Sequence, residues 1–259
     1  MSSSDAFFNK NMKRALITLL FSFVASCFLS STLAYAASAN SSVLRFSVWG
    51  NSYAASTSAN EFSSSAQGNA VLSSSQKFSA GSATISIAFT RDEKFVAGST
   101  SSNPSATTYF LATASGSKVS GYAYRTSAYL SLNGGSSGKY TTQFPTATLI
   151  TSSLKNSIAI YDISPYTDVY KTNATGLKYG SLLAEKANGY YPDLITATGN
   201  NGIDGYVYYR DIAFREPDTA EEALELYGSP HTEKVTVYAE DGITPVDTLT
   251  IYFGYSVCK

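Results

Sequence analysis

The sequence is poor in the residue types that most enzymes use for proton transfer, nucleophilic attack and metal binding. It has two cysteines, one histidine and one tryptophan among 259 residues. Histidine-dependent nucleophilic catalysis needs a base beside its nucleophile, and a zinc site needs several His or Cys ligands. His231 follows Pro230 at the exit of a predicted helix, which favours a capping or surface role. These absences predict a non-enzymatic protein, with a Cys258–His231 pair as an open alternative.

The first 36 residues have the pattern of an export signal. Basic residues at 10–14 precede an apolar run at 15–24, which is shorter than the about 20 residues that span a bilayer. Ala34-Tyr35-Ala36 is a cleavage site of the A-x-A type. Met12 is an alternative translation start, because the signal pattern is complete without the residues ahead of it. We therefore expect a secreted, extracellular protein with no transmembrane span after cleavage.

A second interpretation of the N-terminus uses one of the two cysteines. Residues 24–27 read Val-Ala-Ser-Cys and resemble a bacterial lipobox, which would attach the protein to a lipid through Cys27. After cleavage at Ala36 only Cys258 is left, so no internal disulfide can form. Such a composition is typical of exported proteins of Gram-positive bacteria.

Charge argues against one large class of partners. Cleavage after Ala36 removes three of the 18 basic and one of the 19 acidic residues, which leaves a net charge of −3. Phosphate backbones are neutralised by basic patches, so no nucleic-acid partner is expected. The mature chain of about 220 residues is long enough for two modest domains. We expect a disordered lead-in at 37–42, a β domain at 43–165 and a small module at 166–259.

Residues 43–165 have the period-two alternation of antiparallel strands. Ile85, Ile87 and Phe89, for example, share one face. The strand candidates are residues 44–49, 83–89, 107–114, 118–125, 128–132 and 154–161, separated by turn clusters. Short strands at near-regular spacing predict a mainly β fold with an antiparallel β-sandwich or barrel. The glycine-rich turn at 133–138 predicts a hairpin.

Tyrosines on these strands are candidates for ligand binding, because a flat ring face can stack on a sugar. The candidates are Tyr109, Tyr122, Tyr124, Tyr129 and Tyr140, and we take Tyr122, Tyr124 and Tyr129 as the predicted site. The alternative is that the rings cover the sheet while their hydroxyls stay in water, since strands favour tyrosine for that purpose. The sequence leaves both interpretations open.

The module at 166–259 is predicted to be α+β, with one short helix. Asp218 is the predicted N-cap, and Glu221 completes a capping box. Ala220, Ala223, Leu224 and Tyr227 form the apolar face, and Gly228 ends the helix. Strand candidates at 234–238 and 248–253 then form a closing hairpin.

The stretch from Tyr179 to Asp211 is the most distinctive part of this module. Its elements and their neighbours are Asn173-x-x-Gly176-x-x-Tyr179-Gly180-Ser181, Pro192-Asp193-Leu194-Ile195, Gly199, Gly202, Gly205-Tyr206-Val207, Asp211, the helix start at 219–223 and Tyr238-x-x-Asp241-Gly242. In this order they resemble a module of uncharacterised secreted or membrane-tethered proteins of Gram-positive bacteria. The resemblance covers about a third of the chain. It implies a location and a module, and it implies no reaction.

Two chemistries are possible in this stretch. Asn200, Asn201 and Asp204 offer the hard oxygen ligands that Ca²⁺ prefers, although the full ligand spacing of a calcium loop is absent and a plain turn is the alternative. Paired carboxylates for glycoside hydrolysis have four candidates, Glu185, Asp193, Asp204 and Asp211. Asp193 and Asp211 are also candidates for ligand binding without catalysis.

The favoured function is non-enzymatic binding at the bacterial cell envelope. The missing catalytic sets and the abundant Ser, Thr and Tyr point to a protein that binds a cell-wall polymer or another surface protein. No cofactor is expected apart from the possible Ca²⁺. The alternatives are a secreted hydrolase that uses paired carboxylates and a secreted antagonistic peptide or toxin.

Overall fold

A computed structural model describes residues 37–118, 123–150 and 169–254. The export signal, the strand candidate at 154–161 and Cys258 lie outside these residues. The described residues are mainly β-strand, as the alternation predicts. Among them, no helix has the length and apolar character needed to cross a bilayer.

The first sheet is antiparallel and comes from the beginning of the described chain. Its strands are β1 (Ala37–Asn40), β2 (Leu44–Val48), β3 (Asn51–Glu61), β4 (Ser65–Phe78) and β7 (Thr107–Ser117). The order is β1-β3-β4-β7, and β2 also pairs with β3. Two short strands therefore pair with successive parts of one long strand.

Strand β1 corrects the prediction of a disordered lead-in at 37–42. Ala37 pairs with Glu61, and Asn40 pairs with Ser58. Its side chains give little hydrophobic signal, and main-chain hydrogen bonds to β3 supply the order instead. Side-chain alternation cannot reveal a strand that is held mainly by its backbone.

The second sheet contains eleven strands within the described residues. They are β5 (Ala83–Arg91), β6 (Lys94–Ser102), β8 (Ala123–Asn133), β9 (Lys139–Gln143), β10 (Ala147–Ile150), β11 (Lys171–Thr172), β12 (Lys178–Gly180), β13 (Leu194–Thr198), β14 (Asp204–Tyr208), β15 (His231–Tyr238) and β16 (Pro245–Phe253). The order is β10-β8-β5-β6-β16-β15-β14-β13-β12-β11, and β9 pairs with β8. Strand β6 is parallel to both β16 and β13, so strands from both predicted domains are hydrogen-bonded into this one sheet.

Both predicted hairpins are confirmed. Strands β8 and β9 pair across the glycine-rich turn, with Leu132 opposite Tyr140. Strands β15 and β16 close the described chain, with Val235 opposite Leu249. In both hairpins, alternating strands and a turn-forming connection agree with the observed register.

The main core contains side chains from both sheets. Leu72 of the first sheet and Ile85, Phe89 and Tyr124 of the second are fully buried in it. Gly68 leaves room for this packing, because a Cβ there would lie 2.7 Å from Phe89 Cδ2. Alternation then places every second side chain of β5 on the opposite face of its sheet.

Short helices connect the later strands, and the longest of them starts one residue later than predicted. They are α1 (Glu185–Asn188), α2 (Tyr209–Ile212) and α3 (Ala220–Tyr227), with 3₁₀ turns at Gly135–Ser137 and Leu182–Ala184. Thr219 is the N-cap of α3 and accepts a hydrogen bond from Glu222 N, while Glu222 Oε2 accepts one from Asp218 N. The predicted Asp218–Glu221 capping box is therefore wrong: Thr219 and Glu222 cap this end, and the Glu222 carboxylate reaches the N–H of Asp218, the residue before the N-cap. Asp218 Oδ1 instead accepts a hydrogen bond from Lys139.

Replacing Thr219 by alanine is expected to lower the free energy of unfolding by about 1 kcal/mol, because Glu222 N loses its acceptor. Thr219→Ser keeps the hydroxyl and is expected to retain most of that stability. Asp218→Ala is expected to cost less than Thr219→Ala, since its ion pair is exposed. Urea unfolding of the three variants checks the assignment, and a larger loss for Asp218→Ala than for Thr219→Ala would contradict it.

Candidate functional site

A cleft of about 810 Å³ lies against the outer face of the second sheet. Strands β5, β6, β8, β10 and β16 contribute its floor. Residues 182–185, Tyr191 and 209–216 contribute its walls. We call this space the tyrosine cleft. Its volume is in the range of about 300 to 1,000 Å³ that small-molecule sites occupy.

Hydroxyl groups form much of the floor of the tyrosine cleft. Ile87 of β5 belongs to the main core, so its neighbour Ser86 faces the opposite side of the sheet. Thr100 of β6 pairs with Ser86 of β5, and its Oγ1 donates a hydrogen bond to Ser86 Oγ at 3.0 Å. Ser127 and Thr148 extend the floor onto β8 and β10. Hydroxyls both donate and accept, so this floor matches a ligand that does the same.

Aromatic rings line the rest of the tyrosine cleft, on its walls and on neighbouring strands. The rings of Tyr191 and Tyr209 stack with centroids 4.5 Å apart and an interplanar angle of 16°. A second run of rings joins Tyr129, Phe214, Tyr227 and Phe253, with successive centroids 5.6, 6.1 and 5.8 Å apart. These six rings come from five separate chain segments and present apolar faces together with phenolic hydroxyls.

Charged side chains make the tyrosine cleft acidic. Glu185, Asp211 and Glu216 line it together with Arg125. Ser131 Oγ donates to Glu216 Oε1 at 3.1 Å, and Arg210 Nε lies 3.7 Å from Asp211 Oδ1. Three carboxylates against one guanidinium in the lining oppose the binding of a polyanion.

Tyr191 and Tyr209 keep their hydroxyl protons at neutral pH. Burial raises the pKa of Tyr191 to about 12, with further contributions from the charge of Glu185 and from Tyr209 and Tyr129. Burial and the carboxylate of Glu185 also raise the pKa of Tyr209. Both hydroxyls are therefore available as hydrogen-bond donors to a ligand.

The three tyrosines predicted to bind a ligand have different positions. Tyr129 lines the tyrosine cleft. Tyr124 is fully buried and stacks on Phe89 with centroids 5.5 Å apart, so the predicted ligand role does not fit its position. Tyr122 lies outside the described residues. Alternation makes Tyr124 and Tyr129 face opposite sides of β8, and the sequence alone does not say which side is the core.

The candidate carboxylates do not all converge. Glu185 and Asp211 line the tyrosine cleft. Asp193 Oδ2 accepts a hydrogen bond from Lys178 N at 2.8 Å, and its carbonyl accepts one from Tyr209 N at 2.9 Å. Asp193 thus joins β12 to the first residue of α2, which is Tyr209. It positions Tyr209 and does not itself line the cleft.

The three candidate calcium ligands are engaged with the protein. Asn200 Nδ2 donates to Thr250 Oγ1, and Asn201 Nδ2 donates to Asp247 Oδ1, each at 2.9 Å. Asp204 forms an ion pair with Lys94 and accepts from Thr198 Oγ1. In the described part of the chain there is no cluster of three or more His, Cys, Asp or Glu side chains arranged to hold a metal ion. The calcium site stays a prediction without support from these contacts.

The motif residues of the module pack strands together. They are Tyr179, Gly180, Ser181, Pro192, Asp193, Gly205 and Tyr206. A Cβ at Gly180 would lie 2.7 Å from the Tyr170 ring, and one at Gly205 would lie 2.7 Å from Val237 Cγ1. Ser181 caps the following 3₁₀ turn and donates to Glu93 O at 2.8 Å. The rings of Tyr179 and Tyr206 meet edge to face at 5.4 Å. The motif therefore positions the segments that wall the cleft.

The lone histidine is a surface residue at the start of β15. Its ring stacks on Phe253 with centroids 4.8 Å apart, and Nδ1 lies 3.0 Å from Ser229 O. Its proposed partner Cys258 lies outside the described residues.

Several cleft residues were missed by the sequence analysis. Tyr191, Tyr209, Phe214 and Glu216 were not singled out as site residues, and neither was Arg125. No local pattern marks them, because they become neighbours only when separate segments fold onto the sheet.

Comparisons with known proteins add no relative. No family model, curated protein or solved structure matches the chain. The resemblance of the last third of the chain to a module of secreted Gram-positive proteins stays a prediction.

Proposed function

We propose that the protein is a secreted, non-enzymatic binding protein of the bacterial cell envelope, and that it holds a neutral glycan segment of a cell-wall polymer in the tyrosine cleft. The observation that carries this proposal is the combination of a hydroxyl floor with tyrosine walls in one cleft of about 810 Å³. A sugar ring has apolar faces and a rim of hydroxyls, so it matches both surfaces. Export rests on the N-terminal signal pattern.

The charge of the lining selects among cell-wall polymers. Glu185, Asp211 and Glu216 outnumber Arg125, so a phosphate-rich polymer would be repelled. A neutral glycan meets no such repulsion. It also finds donors in Tyr191 and Tyr209 and acceptors in the carboxylates.

Tyr191 and Tyr190 provide a matched pair of variants. Tyr191 lines the tyrosine cleft, whereas the ring of its neighbour Tyr190 contacts Tyr170, with ring centroids 5.4 Å apart. Tyr191→Ala is expected to weaken binding to purified cell-wall glycan at least about tenfold, which corresponds to about 1.4 kcal/mol. Tyr190→Ala is expected to bind like the unmodified protein. Co-sedimentation with purified cell wall measures both.

Equal binding by the two tyrosine variants would remove the tyrosine cleft from the proposal. Absence of binding by the unmodified protein would overturn the proposal itself. Retention on whole cells but not on purified wall would favour another surface protein as the partner.

A second candidate function is hydrolysis of the same glycan, favoured by the carboxylates of Glu185 and Asp211 in one cleft. An acid catalyst needs a carboxyl that keeps its proton through burial, whereas the side chain of Asp211 is 39% exposed. We therefore rank binding first. Release of reducing ends by the unmodified protein, abolished in both Glu185→Gln and Asp211→Asn, would establish hydrolysis. If no ends are released and both variants still bind, binding alone stands.

A further inference from the structure

Trp49, the single tryptophan of the chain, lies in the turn between β2 and β3 with a left-handed backbone. Its φ is 49°, and that of Gly50 is 77°. Hairpin turns with two positive φ values favour Asn-Gly, and a bulky side chain in the first position is strained. The turn itself gives no reason for tryptophan here, and strain of this kind is concentrated at functional sites.

Gly134 supports the same ring from another hairpin. A Cβ at Gly134 would lie 2.9 Å from the indole atoms Cη2, Cζ2 and Cζ3 of Trp49. The φ of Gly134 is −94°, which any residue adopts, so its own backbone does not require glycine. The indole ring of Trp49 occupies the space that a side chain at position 134 would need, which explains the glycine. One part of the indole thus rests on Gly134, while 40% of Trp49 is exposed.

The indole ring borders a second cleft, of about 660 Å³. We call it the tryptophan cleft. Tyr53 and Phe78, each 5% exposed, contribute apolar surface to it. Asn51, Lys77 and Glu221 contribute polar groups. Among the described residues, its lining shares no member with that of the tyrosine cleft.

We propose that Trp49 is the stacking platform of a second binding site, which takes one ring of a neutral sugar. The exposed indole offers a flat apolar face to such a ring. Lys77 and the amide of Asn51 donate hydrogen bonds, while Glu221 accepts them, so sugar hydroxyls find both kinds of partner. The opposite charges of Lys77 and Glu221 offset each other, so a neutral ligand meets no strong field of one sign. The site is independent of the tyrosine cleft, and two sites on one polymer strengthen retention.

The fluorescence of the single tryptophan reports on this site. The probe is a short oligosaccharide of N-acetylglucosamine, added while tryptophan is excited selectively. A saturable change of emission is expected for the unmodified protein, and the same change is expected for Tyr191→Ala. A flat response in the unmodified protein overturns the second site. If calorimetry detects sugar binding while emission stays flat, the tyrosine cleft stands and the tryptophan cleft does not.

Two variants separate binding from folding. Trp49→Asn creates the favoured Asn-Gly turn, so its melting temperature is expected to equal or exceed that of the unmodified protein. In a Tyr191→Ala background it is expected to weaken sugar binding at least about tenfold in calorimetry. Gly134→Ala displaces the indole and is expected to weaken binding, while Ser136→Ala, on the same turn but outside the lining of the tryptophan cleft, is expected to bind like the unmodified protein. The assignment is overturned if Trp49→Asn binds the sugar with undiminished affinity. It is also overturned if the emission of the unmodified protein changes with a proline-rich peptide and does not change with the sugar.

Discussion

Replacing Phe89 by alanine is expected to lower the free energy of unfolding by about 4 kcal/mol. Its ring is fully buried, stacks on Tyr124 and fills the space that Gly68 leaves open. Alanine removes this volume from the junction of the two sheets, and long paired strands limit how far the cavity can collapse. A loss of this size is a large part of the 5–15 kcal/mol that stabilises a typical domain.

Phe89→Leu is the matched control, because it keeps most of the apolar volume and is expected to cost about 1 kcal/mol. Urea unfolding measured by tyrosine fluorescence and by circular dichroism gives both values. A loss below about 1 kcal/mol for Phe89→Ala would show that the sheets close over the cavity. Because Ala88 beside Phe89 lines the tyrosine cleft, the alanine variant is also expected to bind glycan more weakly.

Replacing Asp247 by alanine is expected to lower the free energy of unfolding by about 3 kcal/mol. This buried carboxylate accepts hydrogen bonds from Thr248 N at 2.7 Å, Asn201 N at 3.0 Å and Asn201 Nδ2 at 2.9 Å. A side chain at Gly199 would collide with it. It therefore fixes the β13–β14 connection to β16. Asp247→Asn replaces one accepting oxygen by a donor and is expected to cost about 2 kcal/mol.

Asp247 also makes the stability depend on pH. Burial by itself raises the pKa of Asp247, but the hydrogen bonds from Thr248, Asn201 and Ile203 outweigh it and lower the pKa below its ordinary value. The contribution is therefore complete above the ordinary carboxyl pKa of about 4 and is lost as the pH falls through the lower folded value. Unfolding from about pH 7 to about pH 3 is expected to show a shallower acid loss for Asp247→Asn than for the unmodified protein. If the free energy of unfolding of both proteins falls equally with decreasing pH, the acid sensitivity comes from other carboxyls.

The strands themselves were readable from local pattern. Ile85, Ile87 and Phe89 alternate with polar residues, and they are buried in the core as expected. The hairpins β8–β9 and β15–β16 followed from their turns. The helix at Ala220–Tyr227 followed from its apolar spacing and its terminal glycine. Each of these signals is short-range, so the sequence displays it directly.

The three wrong predictions each have a physical cause. The cap moved from Asp218 to Thr219, because both residue types can cap, and the helix begins at Ala220 with Thr219 as the extended residue before it. Strand β1 was missed, because main-chain pairing to β3 leaves little trace in side-chain type. Tyr124 was assigned to a ligand, although the other face of β8 is the one that meets the cleft.

The amino-acid sequence by itself determined the β-rich character, the places of the main turns and the amphipathic helix at Ala220–Tyr227, because strand and helix periods and turn-forming glycines act over a few neighbours. Only the tertiary structure decided that β6 pairs with β16 and β13, and that Tyr129, Tyr191, Tyr209 and Asp211 border one cleft. Such contacts join residues that are far apart in the chain. Their free energy comes from packing between whole segments, which no local pattern encodes.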